Sequence, residues 1–176
     1  DKDDGTWEKI RSLLYIFALE QWKGIGYHYK NFDSIKIDGI GISLVYENGI
    51  LIRGVTRGDG SIGEDVTNNI KTIKSIPLTL NENINIEVRG EVFMKKSTLV
   101  KLNTQKELAG DQPFANPRNA ASGTMKQLDS REVAKRSLDC FLYTLNYVEK
   151  EVSSQWVALN YMHHLGFKVN PPSQVK

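Results

Sequence analysis

Apolar residues recur along this chain in two periods, and the change from one to the other marks its elements. In residues 1–30, Trp7, Ile10, Leu13, Leu14, Phe17 and Trp22 form a stripe of helical spacing, which predicts one or two helices. From Ile40 the period shortens to two: Ile40, Ile42, Leu44 and Tyr46 alternate with smaller residues up to Glu47-Asn48-Gly49, and Ile50, Ile52 and Val55 continue the rhythm. Asn-Gly between two such runs predicts a hairpin, because both central residues of a type I′ turn need φ > 0. Strands are expected over about 40–47 and 50–57.

Arg57 to Asp65 holds three glycines in nine residues and reads as a loop. A short helix is expected from about Glu64, with Val66, Ile70 and Ile73 on one face, acidic residues at its N-terminal end and Pro77 closing it. Residues 84–94 read as a strand interrupted at Gly90, and Ser97 is placed as the cap of a helix through Leu99, Leu102 and Lys106 to Gly110. Residues 111–129, rich in Pro, Asn, Gly, Ala and Ser, read as an irregular loop. Ser137 to Val148 is β-prone, and a last helix opens at Ser153 or Ser154, runs through Trp156, Leu159 and Met162, and stops at Gly166. This order predicts an α+β domain with a mainly antiparallel sheet and flanking helices.

Composition narrows the picture by exclusion. With 176 residues, 40% hydrophobic and 25% charged, the chain has material for one domain with a real core, which rules out disordered and collagen-like classes. Its longest apolar run, Leu13 to Leu19, falls far short of the roughly 20 residues that a bilayer span needs. No membrane partner is expected. The single cysteine, Cys140, can form no internal disulfide, which points to a reducing, cytoplasmic setting. It has no metal-ligand spacing with His28, His163 or His164, so no metal site is assigned. A formal charge of +2 neither demands nor forbids a polyanionic partner.

Several places hold chemistry to weigh. In Lys36-Ile37-Asp38-Gly39 the amine stands at a strand end with a glycine turn behind it. Partial burial near other cations would leave it unprotonated and nucleophilic; the plain alternative is a solvated lysine in a β-turn. Arg57 precedes the glycine-rich loop, whose amides can face a phosphate while the guanidinium forks onto its oxygens, or it serves only the turn. Glu91 follows Gly90 inside a strand, where it can accept a hydrogen bond from a ribose hydroxyl or pair with Arg89 or a lysine across the strands. Arg118 sits among small residues that allow close packing, a setting in which an arginine has a fixed partner, structural or ligand. Lys126, Arg131, Lys135 and Arg136 then form a basic stretch able to touch nucleic-acid phosphates or simply to face solvent. Trp156 and Met162, at helical spacing, read as core.

Seven segments occur in one order: Lys36-Ile37-Asp38-Gly39, Tyr46-Glu47-Asn48-Gly49, Thr56-Arg57-Gly58-Asp59-Gly60, Gly63-Glu64-Asp65-Val66-Thr67, Ile76-Pro77-Leu78, Glu87-Val88-Arg89-Gly90-Glu91-Val92-Phe93 and Phe114-Ala115-Asn116-Pro117-Arg118-Asn119-Ala120-Ala121-Ser122-Gly123. The set, from about residue 35 to 148, resembles the adenylation domain of bacterial-type NAD-dependent DNA ligases. The resemblance implies a partial nucleotidyltransferase (ATP-grasp-like) domain over residues 33–176, after a helical segment, 1–32, to which it gives no role. It implies a ligase acting on NAD and nicked double-stranded DNA. Lys36 would attack the adenylyl phosphorus of NAD and expel nicotinamide mononucleotide; the AMP would pass to the 5′-phosphate of the nick, and the 3′-hydroxyl would displace it. Mg²⁺ would neutralise part of the charge. On the same resemblance Glu91 holds the ribose, Arg57 contacts the nucleotide, Arg118 assists near the reacting phosphate, and Asp38 and Gly39 shape the lysine turn. The basic segment from Lys126 onward would lie near DNA.

Departures from the family pattern set further expectations. Ser34 stands where the family usually has an adenine-contacting glutamate, and Lys126 where many members have arginine, which keeps the charge but loses the bidentate fork. The Asp-Gly-hydrophobic-hydrophobic-x-Lys strand and a later lysine motif, which line the nucleotide phosphates in the family, do not occur before Lys176. The chain alone is therefore expected to be incomplete as an enzyme, needing a missing C-terminal region or a second polypeptide. The alternative is a degenerate, non-catalytic nucleotide- or DNA-binding module. An ATP-dependent nucleotidyltransferase shares Lys-x-Asp-Gly, but the Arg57 loop and the Asn116-Pro117-Arg118 segment resemble the NAD class.

Overall fold

Asn48 (φ 48°) and Gly49 (φ 75°) both take the left-handed conformation, and the chain reverses there between β1 (Ile40–Glu47) and β2 (Ile50–Thr56), as the Asn-Gly signal requires. In this computed structural model the described residues are 38–58, 63–149, 152 and 155–169. The helices expected in residues 1–30, Ser34, Lys36, most of the loop after Arg57, Ser153, Ser154 and the side chain of Trp156 lie outside them.

Two more strands, β3 (Ile86–Phe93) and β4 (Asp139–Val148), complete a four-stranded sheet in the order β2-β1-β3-β4, every pairing antiparallel. Alternation sorts the strands into two faces. Ile42, Leu44 and Tyr46 of β1, Ile86, Val88 and Val92 of β3, and Cys140 and Leu142 of β4 are buried in one cluster with Ile70, Met125, Met162 and Leu165. Each large apolar side chain removed from water there contributes roughly 1.5–3 kcal/mol. Tyr46 fits this layer because its hydroxyl donates to the Pro77 carbonyl at 2.8 Å and its ring meets Phe167 edge-on at 5.3 Å; burial pushes its phenol pKa up. Met162 is core, as its spacing predicts. No helix among the described residues is long and apolar enough to cross a membrane.

The expected short helix from Glu64 shrinks to a single turn, α1 (Thr67–Ile70), with no acidic residue in it. Residues 64–66 cover the outer edge of β2 instead: Thr56 N donates to Glu64 O and Val66 N to Gly54 O, both at 2.9 Å. Edge amides compete for these backbone groups, and here the sheet wins. Nor does Gly90 interrupt β3. The irregularities are two bulges in β4: Glu87 pairs with Tyr147 and Val88 with Leu145, leaving Asn146 extra, and Arg89 pairs with Thr144 and Gly90 with Leu142, leaving Tyr143 extra. Glycine is needed at 90 for closeness, since a Cβ there would overlap the Phe141 carbonyl oxygen.

The helix α2 (Lys96–Leu108) begins one residue before Ser97, with Lys95 at its N-cap and no side-chain cap, so Ser97 lies inside the helix. The largest correction falls in residues 111–129, which are not all loop. α3 (Pro117–Met125) opens with Pro at its first turn, and the Asn116 side chain accepts from Asn119 N at 2.8 Å; α4 (Ser130–Lys135) is capped by Asp129, which accepts from Arg131 N at 2.9 Å. Small, Pro- and Asn-rich composition suggested loop, but Pro at the start and Asn at the cap are helix-initiating signals. Ala120, Ala121, Thr124 and Met125 make the buried face of α3. The last helix, α5 (Gln155–His164), ends before Gly166 as expected, and Leu142 N then donates to Lys168 O at 3.1 Å, so the segment after α5 lies along the β4 edge.

Candidate active site

Gly39 and Gly41 let other groups crowd onto β1. A Cβ on Gly39 would overlap the Val92 carbonyl oxygen and sit 3.1 Å from Glu91 Cγ; one on Gly41 would sit 3.2 Å from Arg57 Cβ. Arg57 N donates to Gly41 O at 2.7 Å, Gly41 pairs with Glu91, and Glu91 pairs with Phe141. Directly opposite residues share a face, so Arg57, Glu91 and Phe141 form a row across the sheet on the side away from the core. The sheet register thus brings together groups 34 and more residues apart.

Tyr143 lies at a β4 bulge beside this row. The residue is 39% exposed; burial raises its phenol pKa, the Glu91 carboxylate raises it further, and the Arg57 guanidinium opposes, so the phenol stands within the field of both. Residue-type reasoning missed Tyr143, because strand alternation alone does not reveal a bulge. Arg89, the alternative partner weighed for Glu91, pairs with Glu87 at 3.5 Å, and Glu87 also accepts from Ser43 Oγ at 2.7 Å.

The two remaining cations reach the site on ion pairs. Arg118, in the first turn of α3, has its Nη1 3.7 Å from Asp38 Oδ1, an exposed contact between two side chains that both face solvent. Lys126, just past α3, has its Nζ 3.4 Å from Glu64 Oε1, and Glu64 N in turn donates to Thr56 Oγ1 at 3.0 Å, next to Arg57. The turn after Glu64 is stiffened by Asp65, whose carboxylate accepts from Thr67 N at 2.9 Å and Thr67 Oγ1 at 2.7 Å; these bonds hold its pKa below the usual carboxylate range. Pairs this exposed contribute about 0–1 kcal/mol to folding, so their cations can exchange a carboxylate for another anion at small cost.

The basic stretch beyond Lys126 is engaged locally. Arg131 binds Asp129 at 2.8 Å and Lys135 binds Glu132 at 2.7 Å, contacts that raise both cations' pKa values, while Arg136 Nη1 donates to the buried Thr124 Oγ1 at 3.2 Å. Asp38, Gly39, Arg57, Glu91, Arg118 and Lys126 are therefore linked by short contacts or register, whereas Lys36 is outside the described residues. Among the described residues no group of three or more His, Cys, Asp or Glu could hold a metal ion. The described residues supply no cage for Mg²⁺.

A family profile, the NAD-dependent DNA ligase adenylation domain, matches residues 20–176. The chain is 54% identical to a protein named DNA ligase from Caldicellulosiruptor bescii over 161 residues, covering 90% of this chain and 24% of that protein. It is 55% identical to the DNA ligase of Halalkalibacterium halodurans over 79% of this chain and 21% of the relative, and 50% identical to that of Mesoplasma florum over 80% and 21%. The chain spans less than a quarter of the length of these curated relatives.

Proposed function

We propose, from the premise that this chain belongs to the adenylation-domain family of NAD-dependent DNA ligases, that it binds the substrate NAD on the open face of its sheet and accepts AMP on Lys36. The observation that carries the reading is the row of Arg57, Glu91 and Phe141, formed over the glycine at position 41, with Tyr143 at the β4 bulge beside it. A carboxylate in that row accepts hydrogen bonds from ribose hydroxyls, an aromatic face takes a purine, and a guanidinium takes phosphate oxygens. Arg118 and Lys126 add two cations that exposed carboxylates hold ready.

The chemistry asked of such a site is mainly positioning and charge neutralisation. The Lys36 amine, having given up a proton, attacks the adenylyl phosphorus; the phosphorus–oxygen bond to nicotinamide mononucleotide breaks, and its electrons leave with that group. The AMP then passes to the 5′-phosphate of a DNA nick, and the 3′-hydroxyl displaces it to form the phosphodiester. The fold is read accordingly as part of a nucleotidyltransferase domain, residues 33–176. Because the chain spans under a quarter of its relatives, nick sealing belongs to a larger assembly, with the remaining phosphate-binding groups supplied by further polypeptide.

The test is a covalent one. The chain, combined with the C-terminal region that completes a relative, is mixed with NAD and Mg²⁺ and examined by intact-mass and peptide mass spectrometry. An AMP increment on Lys36 that Lys36→Ala abolishes supports the reading. NAD binding without an adduct under any complementation favours the non-catalytic module, and indifference to NAD removes the nucleotide site altogether.

A further inference from the structure

The turn that presents Lys126 is held from outside its own helices. Lys126 follows α3, and the residues on either side of it, Met125 and Gln127, direct their carbonyl oxygens at one group: the side-chain nitrogen of Asn69, 2.8 Å from each. Asn69 belongs to α1, is 7% exposed, and spends both hydrogens of its amide on this pair. Carbonyls at a helix C-terminus lack partners within the helix and are commonly met by a glycine turn or by water. Here the C-cap is Lys126 itself (φ −91°, ψ 3°), with no glycine, and a buried amide 56 residues away in sequence does the work.

Asn69 is itself anchored to the sheet. Thr67, two residues earlier, accepts from Gly54 N at 2.9 Å through its hydroxyl, and Val66 N donates to Gly54 O at 2.9 Å. The same segment carries Glu64, the ion partner of Lys126. One strap, residues 64–69, therefore holds the backbone on both sides of Lys126 and meets its ammonium. Two bonds to the flanking carbonyls fix the point from which the lysine stem departs, while leaving the side chain unrestrained by Asn69. We infer that Asn69 is a positioning residue for Lys126, setting where its ammonium meets a phosphate oxygen of nicked DNA.

This rests on the reading of Lys126 as a phosphate contact, and a double-mutant cycle separates the two. The full chain, Asn69→Ala, Lys126→Ala and the double variant are titrated with nicked duplex carrying a 5′-phosphate at several salt concentrations, and the unfolding temperature of each is recorded. Lys126→Ala should weaken binding and reduce the salt slope by about one. Asn69→Ala should weaken binding by roughly three- to tenfold and flatten the slope, and adding it to Lys126→Ala should cost nothing more. Losses that add independently overturn the inference and leave Lys126 in place. No effect of Lys126→Ala on affinity or slope removes the contact to DNA phosphate, and the inference with it. If Asn69→Ala does not fold, Asn69→Ser, whose hydroxyl can hold one of the two carbonyls, enters the same cycle and must show the same non-additivity.

Discussion

Among the described residues, two settings of ion pair differ in their surroundings. At the start of β4, Asp139 is mostly buried: Lys168 Nζ lies 2.6 Å from its Oδ2, Lys95 Nζ 3.5 Å away, and the Cys140 amide bonds its other oxygen at 2.9 Å. Lys168 also stands 4.6 Å from the centre of the Phe141 ring, which stacks on Phe93 at 5.3 Å. The Arg118–Asp38 and Lys126–Glu64 pairs, by contrast, are single contacts at 3.7 and 3.4 Å between side chains that are more than half exposed. The first arrangement is cross-linked and holds structure; the second leaves cations loosely engaged, which suits groups that must exchange partners. Position in the solvent gradient, more than residue type, separates the two settings.

The largest effect should come from breaking the buried partner. Asp139→Ala strands Lys168 and removes several charge-assisted bonds, so urea unfolding should show a loss of roughly 2–3 kcal/mol. A change no larger than that of an ordinary surface substitution would erase the distinction. Next, Tyr143→Ala should cut AMP affinity about five- to tenfold, the scale of one lost stacking contact, with little change in the urea midpoint. Calorimetric titration against wild type reads both halves of that statement.

Acidification gives a smaller signal with a defined sign. Burial works to raise the Asp139 pKa, but bonds from Lys168, Ser75 and the Cys140 amide outweigh it and lower the value. Its contribution to stability is then complete above the ordinary carboxylate pKa of about 3.9 and is lost as pH falls through the lower folded value. Thermal unfolding of wild type should fall more steeply than that of Asp139→Asn below about pH 4. Smallest of all, Asp38→Asn and Glu64→Gln should each change stability by less than about 1 kcal/mol. Equal destabilisation by Asp38→Asn and Asp139→Ala would break the comparison at its other end.

Much of the scaffold was legible because its signals are local. The Asn48-Gly49 turn, the alternation of Ile42, Leu44 and Tyr46, and the stop at Gly166 depend on a few neighbouring residues and their backbone preferences. The same locality misled over residues 111–129, where small residues suggested a loop and the cap at Asn116 was the better signal. It misled again at Glu64, since no local rule says that residues 64–66 will satisfy the β2 edge. Arg57, Glu91 and Arg118 could be named from residue type and from the family resemblance, but their neighbours could not. Arg89 turns to Glu87, and Arg118 turns to Asp38.

By itself the amino-acid order determined the α+β class, the hairpin, the apolar face of the sheet and the motifs that carry the family, since each arises from short-range sterics and periodicity. Tertiary structure alone decided which of those motifs meet. Register sets Gly41 opposite Glu91 and Glu91 opposite Phe141, and a bulge delivers Tyr143. The amide of Asn69 reaches two carbonyls 56 and 58 residues away. Contacts of that range form only when a whole core closes, because no short segment can offset the entropy of bringing such distant groups together.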